Sequence, residues 1–167
     1  MAFSLIPSER YKSIYEIDPS GLNKRGITLL LLDLDNTIAA YHIVAPDSLL
    51  IDWVKALREK GVEPFILSNS RKPTRVQDFA KKLDVPFLRR AGKPKKAGFQ
   101  QAMMLMGRSE AETAMVGDQI FTDVLGANRA GICSLLVRPL RLDNPFRILR
   151  YGFETPFRLS AGKRKIP

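Results

Sequence analysis

Two carboxylates set two positions apart, Asp33 and Asp35, stand at the end of the apolar run Ile27-Thr-Leu-Leu-Leu-Leu32. A strand covered on both faces reads as continuous hydrophobics, and side-chain alternation sends residues 33 and 35 to one side. Held that close with no cation between them, the two charges repel, and burial drives one carboxyl towards its protonated form. A divalent metal, or acid and base roles divided between the two, accounts for the pair. The other explanation is that one Asp caps the following turn while its neighbour is solvated.

The rest of the chain supplies elements able to hold such a pair. Asp47 is placed to cap a helix over 48–60, with Leu49, Leu50, Trp53, Val54 and Leu57 as its apolar face and Gly61 at its end. Val62 to Leu67 reads as a buried strand ending at Ser68-Asn69-Ser70, and Pro73 as the start of a helix to Leu83. A short strand over 85–88 follows. Pro94 then opens a helix to Met106, with Ala97, Gln101, Met104 and Leu105 at helical spacing and the methionines as packing filler. Thr113 to Val116 and Cys133 to Val137 are further strands, joined by Gly117-Asp118 and a helix over 122–130. This alternation predicts an α/β fold: a mainly parallel five-stranded, Rossmann-like sheet flanked by helices. In such sheets ligands sit beyond the carboxyl ends of the strands. Asp33, Asp35, Ser68 and Asp118 all fall there.

Composition sets the limits. A chain of 167 residues with 45% hydrophobics suits one domain with a sizeable core. Its single cysteine, Cys133, lies in an apolar run and reads as a core thiol in a reducing, cytoplasmic setting. The opening residues lack the basic flank of a signal peptide, and no segment is apolar enough to span a bilayer. The net charge of +10 is unevenly spread: residues 71–96 carry ten Lys/Arg against two Asp, and residues 138–167 carry eight against two acidic residues. Such clusters point to an anionic partner or substrate, or to a solvated basic face.

The motifs together resemble the haloacid dehalogenase superfamily of aspartate-nucleophile phosphatases. Its Asp-x-Asp-x-Thr motif matches Asp33-Leu34-Asp35-Asn36-Thr37, and its Ser or Thr at the end of the second strand matches Ser68-Asn69. Lys93-Pro94 matches its lysine, and Gly117-Asp118 with Asp123 matches its last motif. The resemblance implies that Asp33 is the nucleophile and Asp35 the acid and base. Mg²⁺ would be held by the Asp33 carboxylate, the Asp35 main-chain carbonyl and Asp118. It further implies that Thr37, Ser68, Asn69 and Lys93 bind the phosphoryl group. Lys95 and Lys96 compete for the lysine's role. Asp123 either supports the metal or lysine or caps a helix, and His42 reads as a solvent-facing loop residue.

Thirty residues separate Thr37 from Ser68 and twenty-two separate Ser70 from Lys93, too few at either place for the cap domain that members of this superfamily often insert. An open site of this kind admits large or surface-embedded phosphate esters. Residues 138–167 form a basic, aromatic extension in which Phe146, Ile148, Leu149 and Tyr151 alternate with Arg147 and Arg150, before Phe153, Phe157, Leu159 and Lys163-Arg164-Lys165. That pattern suits the surface of an anionic membrane, or packing of the aromatics on the sheet. The string from Val116 to Arg129 is similar to the YqeG subgroup of class IIIA phosphatases, related to mitochondrial phosphatidylglycerophosphate phosphatases. The expectation is therefore a Mg²⁺-dependent phosphomonoesterase acting on a phosphorylated lipid, cytoplasmic and peripheral on the inner membrane face. Soluble sugar, nucleotide or nucleic-acid phosphates and a non-catalytic assembly role are the alternatives, and the oligomeric state is not legible.

Overall fold

A computed structural model describes residues 4–72 and 74–160. Six strands form one sheet in the order β1-β6-β5-β2-β3-β4, and every pairing in it is parallel. They are β1 (Glu9–Arg10), β2 (Leu29–Leu32), β3 (Glu63–Leu67), β4 (Phe87–Leu88), β5 (Thr113–Gly117) and β6 (Cys133–Leu136). The sheet thus has one strand more than the five expected. β1 is two polar residues at the edge, pairing Glu9 with Leu135 and Arg10 with Leu136, and it carries no apolar run to announce it.

Around the sheet lie α1 (Pro19–Lys24), α2 (Ser48–Glu59), α3 (Arg75–Leu83), α4 (Lys96–Met106), α5 (Leu125–Ala130) and α6 (Pro145–Leu159). The Asp47 side chain accepts the Leu50 N–H and caps α2 as expected. Of the expected α2 face, Leu50, Trp53, Val54 and Leu57 are buried, but Leu49 points outwards. The helix expected from residue 122 opens earlier, as a wide π turn over Ile120–Val124 before α5. Pro73 and residues 163–165 lie outside the described residues; α3 is helical from Arg75.

In α4 the expected face is reversed. Ala97, Gln101, Met104 and Leu105 face solvent, while Gly98, Phe99, Ala102 and Met103 are buried. Gly98 decides this, because a Cβ there would run into the Ala91 carbonyl, so only glycine lets the helix lie against that backbone. Two apolar layers sandwich the sheet: Leu30, Leu32, Ile66 and Val116 on one face, Leu29, Leu31, Phe65 and Met115 on the other. Cys133 is half-buried against the first layer, where burial raises its thiol pKa. No helix among the described residues is long and apolar enough to cross a membrane.

The chain runs outward from β2 through β3 to β4, then returns to pair β5 on the other side of β2. That reversal is a topological switch point, where the loops leaving adjacent strands part and open a crevice. Leu32 is in register with Ile66 on one side and with Val116 on the other. The residues that follow these three strands therefore emerge side by side.

Candidate active site

Asp33 leaves β2 buried, its N–H still donating to the Val116 carbonyl in the ladder. Lys93 Nζ lies 2.6 Å from Asp33 Oδ1, and the Thr37 hydroxyl donates to Asp33 Oδ2 at 3.1 Å. Thr37 Oγ1 is also 3.3 Å from Asp118 Oδ1. A hydroxyl has one proton, so Thr37 serves one carboxylate at a time and bridges the two loops. Asn36 makes the turn possible with φ 69, a left-handed conformation that Asn tolerates better than most residues. Its side-chain amide donates to the Arg141 carbonyl, tying the turn to the segment after β6.

Lys93 is buried between two acids. Its Nζ is 2.7 Å from Asp123 Oδ1 in an ion pair whose geometry is not that of a hydrogen bond. Burial acts to lower its pKa, but the Asp123 and Asp33 carboxylates outweigh burial and raise it above the ordinary lysine range. Lys95 and Lys96 are exposed, so the structure brings only Lys93 of the three to the carboxylates. The Asn69 side chain fixes its loop, accepting the Lys93 N–H and donating to the Lys93 carbonyl, each at 2.9 Å. The Asn69 side chain is thus committed to the loop rather than turned into the cleft.

Ser68, 1% exposed, sits directly after β3, and its hydroxyl oxygen accepts the Ser70 N–H. Asp118 follows β5, almost fully buried. Burial raises its carboxyl pKa to about 8, and the neighbouring Asp33 and Asp123 charges add to the shift. Asp123 is raised less, to about 6: burial and Asp33 push it up while Lys93 holds it down. The Gln119 N–H donates to Asp123 Oδ2, so this residue both braces its own loop and pairs with the lysine.

Oxygens of Asp33, Asp118 and Asp123 lie within 4.8 Å of one another. Three buried carboxylates with one ammonium leave the floor of the site short of positive charge, and the all-oxygen donor set suits a hard divalent cation such as Mg²⁺. Asp123 is held by the Gln119 N–H and by Lys93, whereas the Asp33 Oδ2 and Asp118 Oδ1 oxygens share only the one Thr37 hydroxyl and are the pair best placed to share an ion.

Other neighbours were not legible in the sequence. Arg75, on α3, donates from Nε to Asp35 Oδ1 at 2.7 Å and from its terminal nitrogens to the Ile43 and Ala40 carbonyls. From α6, the buried Arg158 donates to the Asp118 carbonyl and pairs with Glu154 at 2.6 Å. Glu154, fully buried, accepts the Ile120 N–H at 3.0 Å. Only the i,i+4 spacing of Glu154 and Arg158 hinted at a pair. His42 is exposed, as expected.

The carboxylates open into a cleft of about 320 Å³, rimmed by Arg71, Lys72, Arg147 and Arg150. A larger, mainly apolar cavity of about 510 Å³ is lined by Thr37 but by none of Asp33, Asp35, Asp118 and Asp123. The chemistry therefore belongs to the smaller cleft.

Residues 5–131 match the model of the haloacid dehalogenase-like hydrolase family. The chain is 35% identical over 161 residues to the protein named "Probable phosphatase YqeG" of Bacillus subtilis (strain 168), covering 96% of this chain and 92% of that one. It is 28% identical over 153 residues to phosphatidylglycerophosphate phosphatase 1, chloroplastic/mitochondrial, of Arabidopsis thaliana. That match covers 85% of this chain and 43% of the plant protein. Among solved structures, the cobalt-bound deoxy-D-mannose-octulosonate 8-phosphate phosphatase of Haemophilus influenzae superposes with a TM-score of 0.56 at 20% identity, over 74% of each chain. The 3-deoxy-D-manno-octulosonate 8-phosphate phosphatase of Yersinia pestis gives 0.53 at 14% identity, over 87% of each. At those identities the likeness is one of fold.

Proposed function

The chain belongs to the haloacid dehalogenase-like hydrolase family and is a phosphatase, and from that premise we propose that it hydrolyses phosphomonoesters through an aspartyl-phosphate formed on Asp33. The observation that carries the reading is the placement of Asp33 between the Lys93 ammonium and the Thr37 hydroxyl, beside Asp118, at the mouth of a switch-point crevice. Its carboxylate attacks phosphorus, and the bond from phosphorus to the leaving oxygen breaks while Asp35 delivers a proton to that oxygen. A water then attacks the aspartyl-phosphate. Asp35 takes the water's proton, and inorganic phosphate leaves as the Asp33 carboxylate is restored.

Lys93 holds Asp33 in place and keeps a fixed positive charge beside the transferring oxygens. Ser68 places its hydroxyl, and Asn69 its main-chain N–H, for the phosphoryl oxygens. Asp123 keeps Lys93 charged and oriented. Asp33, Asp118 and the Asp35 main-chain carbonyl would hold Mg²⁺, which would neutralise charge on the phosphoryl group.

The substrate we favour is a lipid phosphomonoester, phosphatidylglycerophosphate, taken from an anionic membrane surface on which the protein sits peripherally. Two observations support it: the relative whose name carries that activity, and the surface of α6. That helix buries Glu154 and Arg158 and exposes Phe146, Leu149 and Phe153, 82%, 60% and 66% open. Charges inside and aromatics outside invert the usual arrangement, and such apolar patches mark contact surfaces.

The test is hydrolysis of an aryl phosphate with Mg²⁺ by wild type and Asp33→Asn. The variant should lose at least about a thousandfold in kcat, and equal activity would refute the nucleophile. Cosedimentation with anionic vesicles and phosphate release from the lipid test the substrate; failure of both moves it to a soluble phosphate.

A further inference from the structure

The rim of the cleft carries more positive charge than one phosphoryl group needs. Arg71 and Lys72 reach it from the loop after β3, and Arg147 and Arg150 from α6. Arg147 shares its charge with Asp143 at 2.8 Å, and Arg150 lies 3.8 Å from Glu154, which is itself committed to Arg158. On the floor, Lys93 pairs with Asp33 and Asp123, and a divalent cation would answer the remaining carboxylate charge, which leaves the rim cations for the substrate. A phosphomonoester brings a charge of about −1.5 to −2, fewer than the four cations around it.

The Tyr41 ring gathers two of these cations, Lys72 and Arg147, together with Arg75. Lys72 Nζ lies 4.2 Å from the ring centroid, and the Arg75 and Arg147 guanidinium carbons lie at 5.4 and 5.7 Å. The ring face attracts each cation, yet like charges drawn together repel one another. Arg75 has Asp35 as its anion. Lys72, from the loop after β3, and Arg147, from α6, thus lie within about 6 Å of one ring in the lining of the same cleft, near enough to act on one anion.

We propose that Arg147 and Arg150 of α6, together with Arg71 and Lys72, form a second anion subsite that selects substrates bearing another phosphate close to the scissile phosphomonoester. The inference rests on the phosphatase reading and deepens it. In this capless chain, α6 and the loop after β3 supply the discrimination that an inserted domain otherwise gives. The guanidinium fork of an arginine fits two oxygens of a phosphodiester, whether that group belongs to a lipid headgroup or to a soluble bisphosphorylated molecule.

The experiment compares kcat/KM of the full chain with Mg²⁺ on a glycerol phosphomonoester and on the same monoester carrying a glycerophosphodiester at its other terminal carbon. Wild type should favour the two-phosphate substrate by about tenfold or more. Arg147→Gln and Arg150→Gln should each pull that ratio towards one, with Arg150→Lys retaining part of it. Both side chains are partly exposed, so these variants keep the fold. A ratio near one in wild type, or a ratio untouched by both glutamine variants, overturns the subsite while hydrolysis of the simple monoester leaves the phosphatase reading standing. Hydrolysis of neither substrate overturns both. Diacylating the two-phosphate compound in vesicles separates the sources. Preference kept in vesicles supports the subsite with a lipid headgroup in it, and preference confined to the soluble form supports it with a soluble ligand.

Discussion

Arg75 and Asp35 lie forty positions apart and meet through a single Nε to Oδ1 contact of 2.7 Å, with the arginine side chain only 8% exposed. The same guanidinium holds the Ile43 and Ala40 carbonyls, so it fixes both the proposed acid and the loop behind it. Asp35 itself is less covered, at 22%, and open to the cleft.

Arg75 is therefore a positioning residue, and its loss should show mainly in kcat. Arg75→Gln is expected to lower kcat about tenfold to a hundredfold with little change in KM, and Arg75→Lys to recover part of it. The loss should be larger on an alkyl phosphate, whose poor leaving group needs the proton, than on a nitrophenyl phosphate. Equal losses on the two substrates would mean that Arg75 does not act through Asp35.

A methyl group on Gly117 should be felt at Asp123 and, through it, at Lys93. A Cβ there would occupy the space of the Asp123 carboxyl group. Gly117→Ala should displace Asp123, release its grip on Lys93 and cost about a hundredfold in kcat, with circular dichroism unchanged. Wild-type turnover in the variant would show that the Asp123 to Lys93 pair is dispensable.

Removal of the divalent ion should make stability depend on pH through Asp118. Its carboxyl is raised from 3.8 to about 8, chiefly by burial, so the folded state holds a proton that the unfolded state releases. That contribution is fully present below pH 3.8 and is lost as pH rises through about 8. In chelator, the melting temperature of wild type relative to Asp118→Asn should fall across this window. Mg²⁺ should reverse the fall at the alkaline end, where its carboxylate ligands are ionised. Parallel melting profiles for the two proteins would rule Asp118 out as the titrating group.

The buried Glu154 and Arg158 pair is expected to be costly to break and cheap to replace whole. Glu154→Gln leaves the Arg158 cation buried against the Asp118 carbonyl and should destabilise the fold by roughly 3–5 kcal/mol. The double variant Glu154→Gln with Arg158→Met should regain much of that in denaturant titrations. Additive losses would show that the two side chains are not coupled.

Much of this site was legible because chemistry and secondary structure coincide. Mainly apolar runs mark β2, β3, β5 and β6, and Asp33, Ser68 and Asp118 fall just past three of their ends, where register brings them together. Arg75 was hidden because nothing local distinguishes it from the other bases between 71 and 96; its role depends on α3 lying beside the turn at 35–43. Glu154 and Arg158 do not stand out in an arginine-rich tail, since burial of a pair depends on what packs over it. The α4 face was misjudged because Gly98, an apparent weak point, is the position of closest backbone approach.

Helix α6 touches the Asp118 loop with its buried side, lines the cleft with Arg147 and Arg150, and turns Phe146 and Phe153 outward. One helix thus joins an exposed aromatic face to the backbone of the loop that carries Asp118. A contact made on that outer face would be one element away from the cleft, so a substitution that repacks α6 is expected to alter both surfaces together.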